Sequence, residues 1–478
     1  MDYPSKAPFH PNSRYEEYPF SDDIDTDNNV VYSAIRTIFD ELGFDRDHMG
    51  TAGWNPMGGY VKQEQTVLLK PNMVNHINPA EKDPVKGMAC LITHPSIVRC
   101  IFDYVYIALK GKGHIIIADA PVQGCNFDEL LKNSGYGELF KYLKTKETEH
   151  LKISIADLRE VTYIKEDSGV IIQKERENME FPGILVDLGK KSYFGDLNNK
   201  KNLRITCYDA KDTIEHHTRE HNEYKISSAV LKADVIISMP KPKSHRIAGY
   251  TAALKNMIGA NARKEYLPHH RKGAKGVNSD EYVGTHRLLK WINSTAKDCM
   301  NHAIKMNNQA LIRVFNEIGR RTGRRLNKLE PDRVISGMWY GNDTIWRTIL
   351  DVNHAIMYAD KDGIIKDIPQ RKIIHIGDMV VCGDHEGPLN PSYKKVGGIL
   401  FSENAVEFDM VVVKLMGFDW RKLKVLYKAI QDNMINDKDD IRFLQLKCND
   451  IRYDKGIDDI LREDFFMFKP TKGWEGHI

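Results

Sequence analysis

The sequence predicts an α/β protein: a mostly parallel sheet with flanking helices, plus a small β-rich cap and a helical insertion. Three observations carry this. Thr66–Lys70, a helical stripe over 95–110 and His114–Ala118 read as strand, helix, strand, a unit whose crossover is right-handed. Val235–Met239 is a short apolar run bounded by Pro240, the pattern of a fully buried strand, which a buried helix segment shares. Beyond residue 330 the strand pattern returns at Ile373–Ile376 and Gly397–Phe401, so both halves of the chain feed the core.

The elements follow in order. Residues 1–28 are polar and proline-bearing and read as a surface arm. Val30, Val31, Ala34, Ile35, Ile38, Phe39 and Leu42 have helical spacing, with Asp27 or Asn28 to cap the helix and Gly43 to end it. After the first strand, 73–93 reads as a long loop. Thr93 then caps a helix carrying Ile97, Val98, Ile101, Phe102, Val105, Tyr106 and Leu109. Short helices are expected near 126–134 and 136–144, and a strand at Ile153–Leu158. Val161–Ile164, Val170–Gln173 and Gly183–Val186 suggest a small antiparallel cap. Tyr250–Ile258 reads as a helix ended by Gly259, and 284–327 as two helices meeting near 305. Helices are also expected over Ile345–Tyr358 and Asn404–Met416. The divisions are therefore 1–62, arm and helix; 63–262, first half of the core with a β-rich insertion at about 160–230; 263–330, basic loop and helical insertion; 331–418, second half of the core; and 419–478, helix and tail.

Composition narrows the class. The 478 residues suit two or three domains or one elaborated one. A hydrophobic content of 41% and a charged content of 28% are those of a soluble globular protein. A net charge of +3 gives no support to general nucleic-acid binding. No apolar run approaches the roughly 20 residues of a membrane span, and the first residues lack a secretory pattern. Cys90, Cys100, Cys125, Cys207, Cys299, Cys382 and Cys448 are never spaced CxxC. That argues against a zinc ribbon, an iron–sulfur cluster and a disulfide framework, and favours a reduced cytoplasmic setting.

Chemistry gathers at predicted strand ends. Lys70-Pro71-Asn72 follows the first strand, Asp119 the second, and Lys241, Lys243, His245 and Arg246 follow Val235–Met239. In open α/β sheets ligands bind beyond the carboxyl ends of strands, and cations beside a helix N-terminus favour an anion. Lys255 lies among Ala253, Leu254, Met257 and Ile258, where a lysine either snorkels to water or faces a ligand with a perturbed pKa. Glu265–Gly284, with His269, His270, Arg271, Lys272 and Lys275, is either a lid adding cations or a mobile basic loop. The cluster His216, His217 and His221 reads as polar surface, and the arginines of 319–325 as a solvated turn. Asp409, set among Phe408, Met410, Val411 and Val412, is a buried carboxylate that either caps a loop or binds a metal.

Taken together, Lys70-Pro71-Asn72, Thr93-His94-Pro95, Ile117-Ala118-Asp119, Pro240-Lys241-Pro242-Lys243-Ser244-His245, Ala253–Gly259, Gly377-Asp378, Glu386-Gly387-Pro388-Leu389 and Ala405–Asp409 form an ordered set. In that order they resemble the family called domain of unknown function 362, over roughly 64–262 and 330–418. Many of its members carry a ferredoxin-like cysteine module. This sequence has no CxxC, so the resemblance implies no iron–sulfur cluster here.

The expected function is a cytoplasmic enzyme acting on an anionic small molecule, a carboxylate or a phosphate, in a cationic cleft. His245 is the acid/base candidate, and Lys255 neutralises charge developing on the substrate. Lys70, Asn72, His94, Asp119, Lys241, Lys243, Asn256 and Arg263 are the substrate-binding candidates. Asp378, Glu386 and Asp409 are the candidate ligands of a divalent metal. Neither nucleic acid nor membrane is an expected partner, and a homo-oligomer is compatible with the sequence. The alternative is a non-catalytic accessory or scaffold protein that binds an anionic cofactor and a protein partner. No Walker loop, nucleophile elbow or Rossmann glycine fingerprint is present.

Overall fold

The computed structural model describes residues 1–20, 23–165, 171–197, 200–205, 208–276, 278–330, 334–432 and 444–478. The chain runs through α1 (Val30–Glu41), β1 (Thr66–Pro71), α2 (Pro84–Leu91), α3 (Pro95–Leu109), β2 (Gly113–Asp119), α4 (Phe127–Ser134), α5 (Tyr136–Lys144) and β3 (Leu151–Asp157). The insertion follows: β4 (Val161–Lys165), β5 (Ile171–Glu175), β6 (Gly183–Asp187), β7 (Leu203–Arg204), α6 (Ala210–Glu215), β8 (Glu223–Ser227) and α7 (Ser228–Leu231). Next come β9 (Val235–Met239), β10 (Lys243–His245), β11 (Gly249–Thr251), α8 (Ala253–Asn256), β12 (His270–Arg271), α9 (Arg287–Lys305) and α10 (Gln309–Leu329). The chain closes with α11 (Ile345–Tyr358), β13 (Lys372–Asp384), β14 (Ser392–Ser402), α12 (Ala405–Met416) and α13 (Lys424–Gln431).

Apolar strands buried on both faces build a parallel sheet. Its order is β11-β10-β13-β9-β1-β2-β3, with β14 also paired to β13. β1 is parallel to β2 and β9, β2 to β3, and β13 to β9 and β10. β14 on β13 and β11 on β10 are antiparallel. Alternate side chains feed two cores. Val67, Leu69, Ile115 and Ile117 pack with α1, α3 and α5. Leu68, Ile116 and Ile236 pack with α8, α11, α12 and α13 on the other face. The register sets Lys70 beside Ser238 and Ser238 beside His375, so the carboxyl ends share one rim.

Several elements differ from the sequence expectation for local reasons. β13 extends well beyond Ile376 and absorbs Gly377-Asp378 and Gly383-Asp384. Pro240 and Pro242, which have no N–H to offer a strand, run along its edge and give only their carbonyls. Asp378 N donates to Pro240 O and Gly383 N to Pro242 O, both at 3.0 Å. The helix expected over Tyr250–Ile258 breaks into β11, the one-turn α8 and a 3₁₀ turn at Met257–Ala260. The loop 73–93 contains α2, which Asp83 caps through Val85 N and Lys86 N. β6 pairs with β8 rather than with the β4–β5 hairpin, so the cap is separate two-stranded pieces. Val170 lies outside the described residues. The arm goes deeper than the surface, with Phe9 and Tyr18 buried. Among the described residues no single helix is long and apolar enough to cross a membrane.

Candidate functional site

The rim is assembled from ion pairs that fix its walls. Lys70 Nζ, at the end of β1, donates to Asp119 Oδ1, at the end of β2, at 2.7 Å. Both side chains are buried, and Asp119 Oδ2 accepts from Met73 N at 2.7 Å. Gly259 lies against this pair, and a methyl group there would overlap Asp119 Oδ1 and press on Lys70 Nζ. The glycine that was read as a helix stop is therefore required by close approach. A second pair joins Lys241 Nζ to Asp378 Oδ2 at 2.9 Å, with both side chains fully buried. Tyr3 of the N-terminal arm donates to Asp378 Oδ1 at 2.6 Å and accepts from Lys241 Nζ at 2.6 Å. Its ring stacks on His94 with centroids 3.9 Å apart. His94 N donates to Asp378 Oδ2 at 2.8 Å, and His94 Nδ1 caps α3 through Ser96 N. His94, Lys241 and Asp378 thus lie under the arm as one closed network.

An amide relay lies beside the first pair. Asn256 Nδ2 donates to Ser238 Oγ at 3.0 Å and to Lys70 O at 3.3 Å, and Asn256 Oδ1 accepts from Asn72 Nδ2 at 3.2 Å. Lys243 Nζ donates to Asn72 Oδ1 and to Leu91 O, each at 2.7 Å. The stem of Lys243 packs against Gly383, where any side chain would overlap it.

Beyond these walls the cations lose their counter-ions. Among the described residues no carboxylate lies in ion-pair range of Lys243, Lys255 or Lys264. Lys243 is held by oxygens of neutral groups, and Lys264 donates to Ala120 O at 2.9 Å and Asn261 O at 3.3 Å. Half-buried Lys255 has no hydrogen-bond partner there. Desolvation brings Lys255 down to about 8 from 10.5. Desolvation first, and the neighbouring cations after it, bring Lys243 and Lys264 to about 7.

Two histidines share this field, and their tautomers are opposite. His245 Nδ1 accepts from Ile247 N at 3.0 Å and Ala248 N at 3.1 Å, so its proton is on Nε2. His269 Nδ1 lies 2.7 Å from Leu267 O and must donate to it, so its Nε2 carries a lone pair. Burial, and then the charge of Lys255, hold His245 well below its ordinary range and His269 at about 3. Both rings are neutral. The site therefore offers one neutral donor, one neutral acceptor and three uncompensated ammonium groups.

The sequence-predicted residues divide accordingly. The charges of Lys255 and Lys243 both act on His245, and Lys70, Asn72, Asp119 and Asn256 are joined to one another by hydrogen bonds that reach Lys243. Arg263 turns away to Glu175 at 3.1 Å and to Glu160 at 3.9 Å. Its neighbour Lys264, the first residue of a 3₁₀ turn over Lys264–Tyr266, is directed instead to Ala120 O and Asn261 O. His269 comes from the segment read as either a lid or a loop. As metal ligands, Asp378, Glu386 and Asp409 are not brought together. Asp378 is consumed by Lys241, Tyr3 and His94. Glu386 pairs with Arg246 at 2.7 Å and accepts from Lys472 N. Asp409 accepts from Ala253 N at 2.6 Å, Leu254 N at 3.3 Å and Tyr250 Oη at 2.9 Å, and burial raises it to about 7. Asp409 also fills the N-terminus of α8, the place expected to favour an anionic ligand. Among the described residues the one cluster with metal-ligand spacing is Asp187, His221 and Glu223. There His221 pairs with Asp187 and His216 with Glu223, while His217 is buried against Tyr266 O.

Comparison with known proteins adds a family. The family model described as domain of unknown function (DUF362) matches residues 67–166 and 161–414. A solved structure of a protein from Thermotoga maritima is similar at 10% identity, with a TM-score of 0.31, over 82% of this chain and 58% of that one. This chain thus spans less than two thirds of that protein. No curated protein matches.

Proposed function

The chain belongs to the DUF362 family, and on that premise we propose that it is an enzyme acting on an anionic small molecule, a carboxylate or a phosphate. The observation that carries this reading is the trio Lys243, Lys255 and Lys264, each desolvated and none with a carboxylate partner. Uncompensated buried charge is unfavourable in a fold that has no use for it. A bound anion would supply the missing counter-charge, and its hydrogen bonds to ammonium groups would be of the strong, charge-assisted kind. Lys255, with all its donors free, is the first contact. His245 Nε2–H donates a hydrogen bond to the substrate, and His269 Nε2 accepts one from it. In this reading the acceptor is His269, since His245 would have to give up two backbone hydrogen bonds to free a lone pair. The reaction is confined to the reduced interior of a cell.

Titration calorimetry with phosphate and with oxalate tests the anion site. Binding that is lost in Lys255→Met supports it, and heats indistinguishable from dilution in wild type reject it. Metabolite profiling of incubations with wild type and His269→Ala then tests turnover.

One observation favours the second reading, a non-catalytic protein that docks a partner. Leu288, Trp291 and Ile292 of α9, and Leu311, Val314 and Ile318 of α10, are exposed large apolar residues. A protein of that kind would bind the anions without consuming any metabolite, and Trp291→Glu would release its partner while leaving the calorimetry unchanged.

A further inference from the structure

The cationic cluster has a feature that anion binding alone does not use. Among the described residues Lys255 is an amine with no hydrogen-bond partner, and its charge acts on two imidazoles of opposite hydrogen-bonding sense. An ammonium group that only attracts an anion needs no base beside it. An amine that attacks carbon needs a group to take its proton and a donor to hold the oxygen. The backbone supplies both here, by fixing His245 as the donor and His269 as the acceptor.

We propose that Lys255 forms a Schiff base with an anionic aldehyde or ketone, the anion being held by Lys243 and Lys264. The inference rests on the enzyme reading above and gives it a substrate class. Neutral Lys255 attacks the carbonyl carbon, and a C–N bond forms. His269 Nε2 accepts a hydrogen bond from the attacking amine, whose two protons pass one at a time to the carbonyl oxygen. His245 Nε2–H hydrogen-bonds that oxygen throughout. The C–O bond then breaks, and the oxygen leaves as water carrying both protons. Amine and carbonyl become imine and water, with no oxidant or reductant involved. Burial maintains a useful fraction of neutral amine near neutral pH, since the group sits at about 8. Buried Lys70 and Lys241, each tied to a carboxylate at hydrogen-bond distance, are not available for this chemistry.

Glyoxylate and pyruvate are the probes, with borohydride to reduce any imine to a stable secondary amine. Intact mass and peptide mapping locate the adduct, and oxalate, which has no reactive carbonyl, serves as competitor. The expected result is one adduct per chain at Lys255, suppressed by oxalate and absent in Lys255→Arg. His269→Ala is expected to form it at least about tenfold more slowly. Mapping on the wild type is decisive even if a variant fails to fold. Oxalate binding without an adduct at Lys255, or with adducts scattered over surface lysines, overturns the Schiff base and leaves the anion site standing. Absence of oxalate and phosphate binding removes both.

Discussion

Replacing Lys255 by methionine should make the protein more stable and less functional. Methionine keeps most of the apolar stem and discards the ammonium. The fall from 10.5 to about 8 corresponds to about 3 kcal/mol against the charged form in the folded state. Some of this is lost to imperfect repacking, so the expected gain is about 1–3 kcal/mol at pH 7. Its pH dependence identifies the cause. The folded pKa lies below the unfolded one, so the penalty on wild type is complete below about pH 8. It fades as pH rises through the interval between the two values, where the unfolded chain binds the extra proton. Urea denaturation of wild type and Lys255→Met at pH 7 and pH 10 reads the difference. The variant should lead at pH 7 and lose most of that lead at pH 10. A variant less stable than wild type at pH 7, or a gain equal at both pH values, would refute the argument that Lys255 is an uncompensated cation.

Other consequences follow from the walls of the site. Asp119→Ala leaves Lys70 charged and buried and Met73 N unpaired, and should cost about 3–5 kcal/mol by denaturation; Lys70→Met with Asp119→Leu should recover much of that loss. Gly259→Ala forces a methyl group into the same ion pair and should cost about 1–3 kcal/mol; a neutral result would mean that the rim is loosely packed. Asp378→Asn should destabilise the fold by weakening the contacts of Lys241 and Tyr3, and metal content by elemental analysis should not change. Anion affinity should weaken as pH rises through 7–8, where Lys243, Lys264 and Lys255 discharge in turn; calorimetry showing constant affinity to pH 9 would contradict the trio's role.

The sheet was legible because its strands are apolar runs punctuated by proline, glycine and charge. Val235–Met239 and the helices Ile345–Tyr358 and Gln309–Leu329 have local causes: β-branched burial, spacing and an Asn308 cap. The long β13 was not legible, because Gly377 and Asp378 carry turn chemistry and are held straight by carbonyls of Pro240 and Pro242, far away in sequence. The same limit applies at the site. Lys70 and Asp119 could be assigned to one rim, since strand ends in a parallel sheet coincide. That they neutralise each other, and leave Lys255 unneutralised, depends on tertiary distances that no spacing encodes. Arg263 pairs with Glu175 and Glu160, while Lys264, which follows it at the start of a 3₁₀ turn, bonds to Ala120 O and Asn261 O, a difference that no spacing encodes. His269 carried a weak signal, as one of two adjacent histidines after Pro268. Its tautomer follows only from the position of Leu267 O.

Side-chain NMR of isotope-labelled lysine, with the Lys255 signal assigned by its loss in Lys255→Met, tests the central claim most directly. The account predicts an ammonium that titrates near 8 and moves upward when phosphate is added, because a bound anion restores its missing counter-charge. A Lys255 that titrates at 10.5 and ignores phosphate would contradict it.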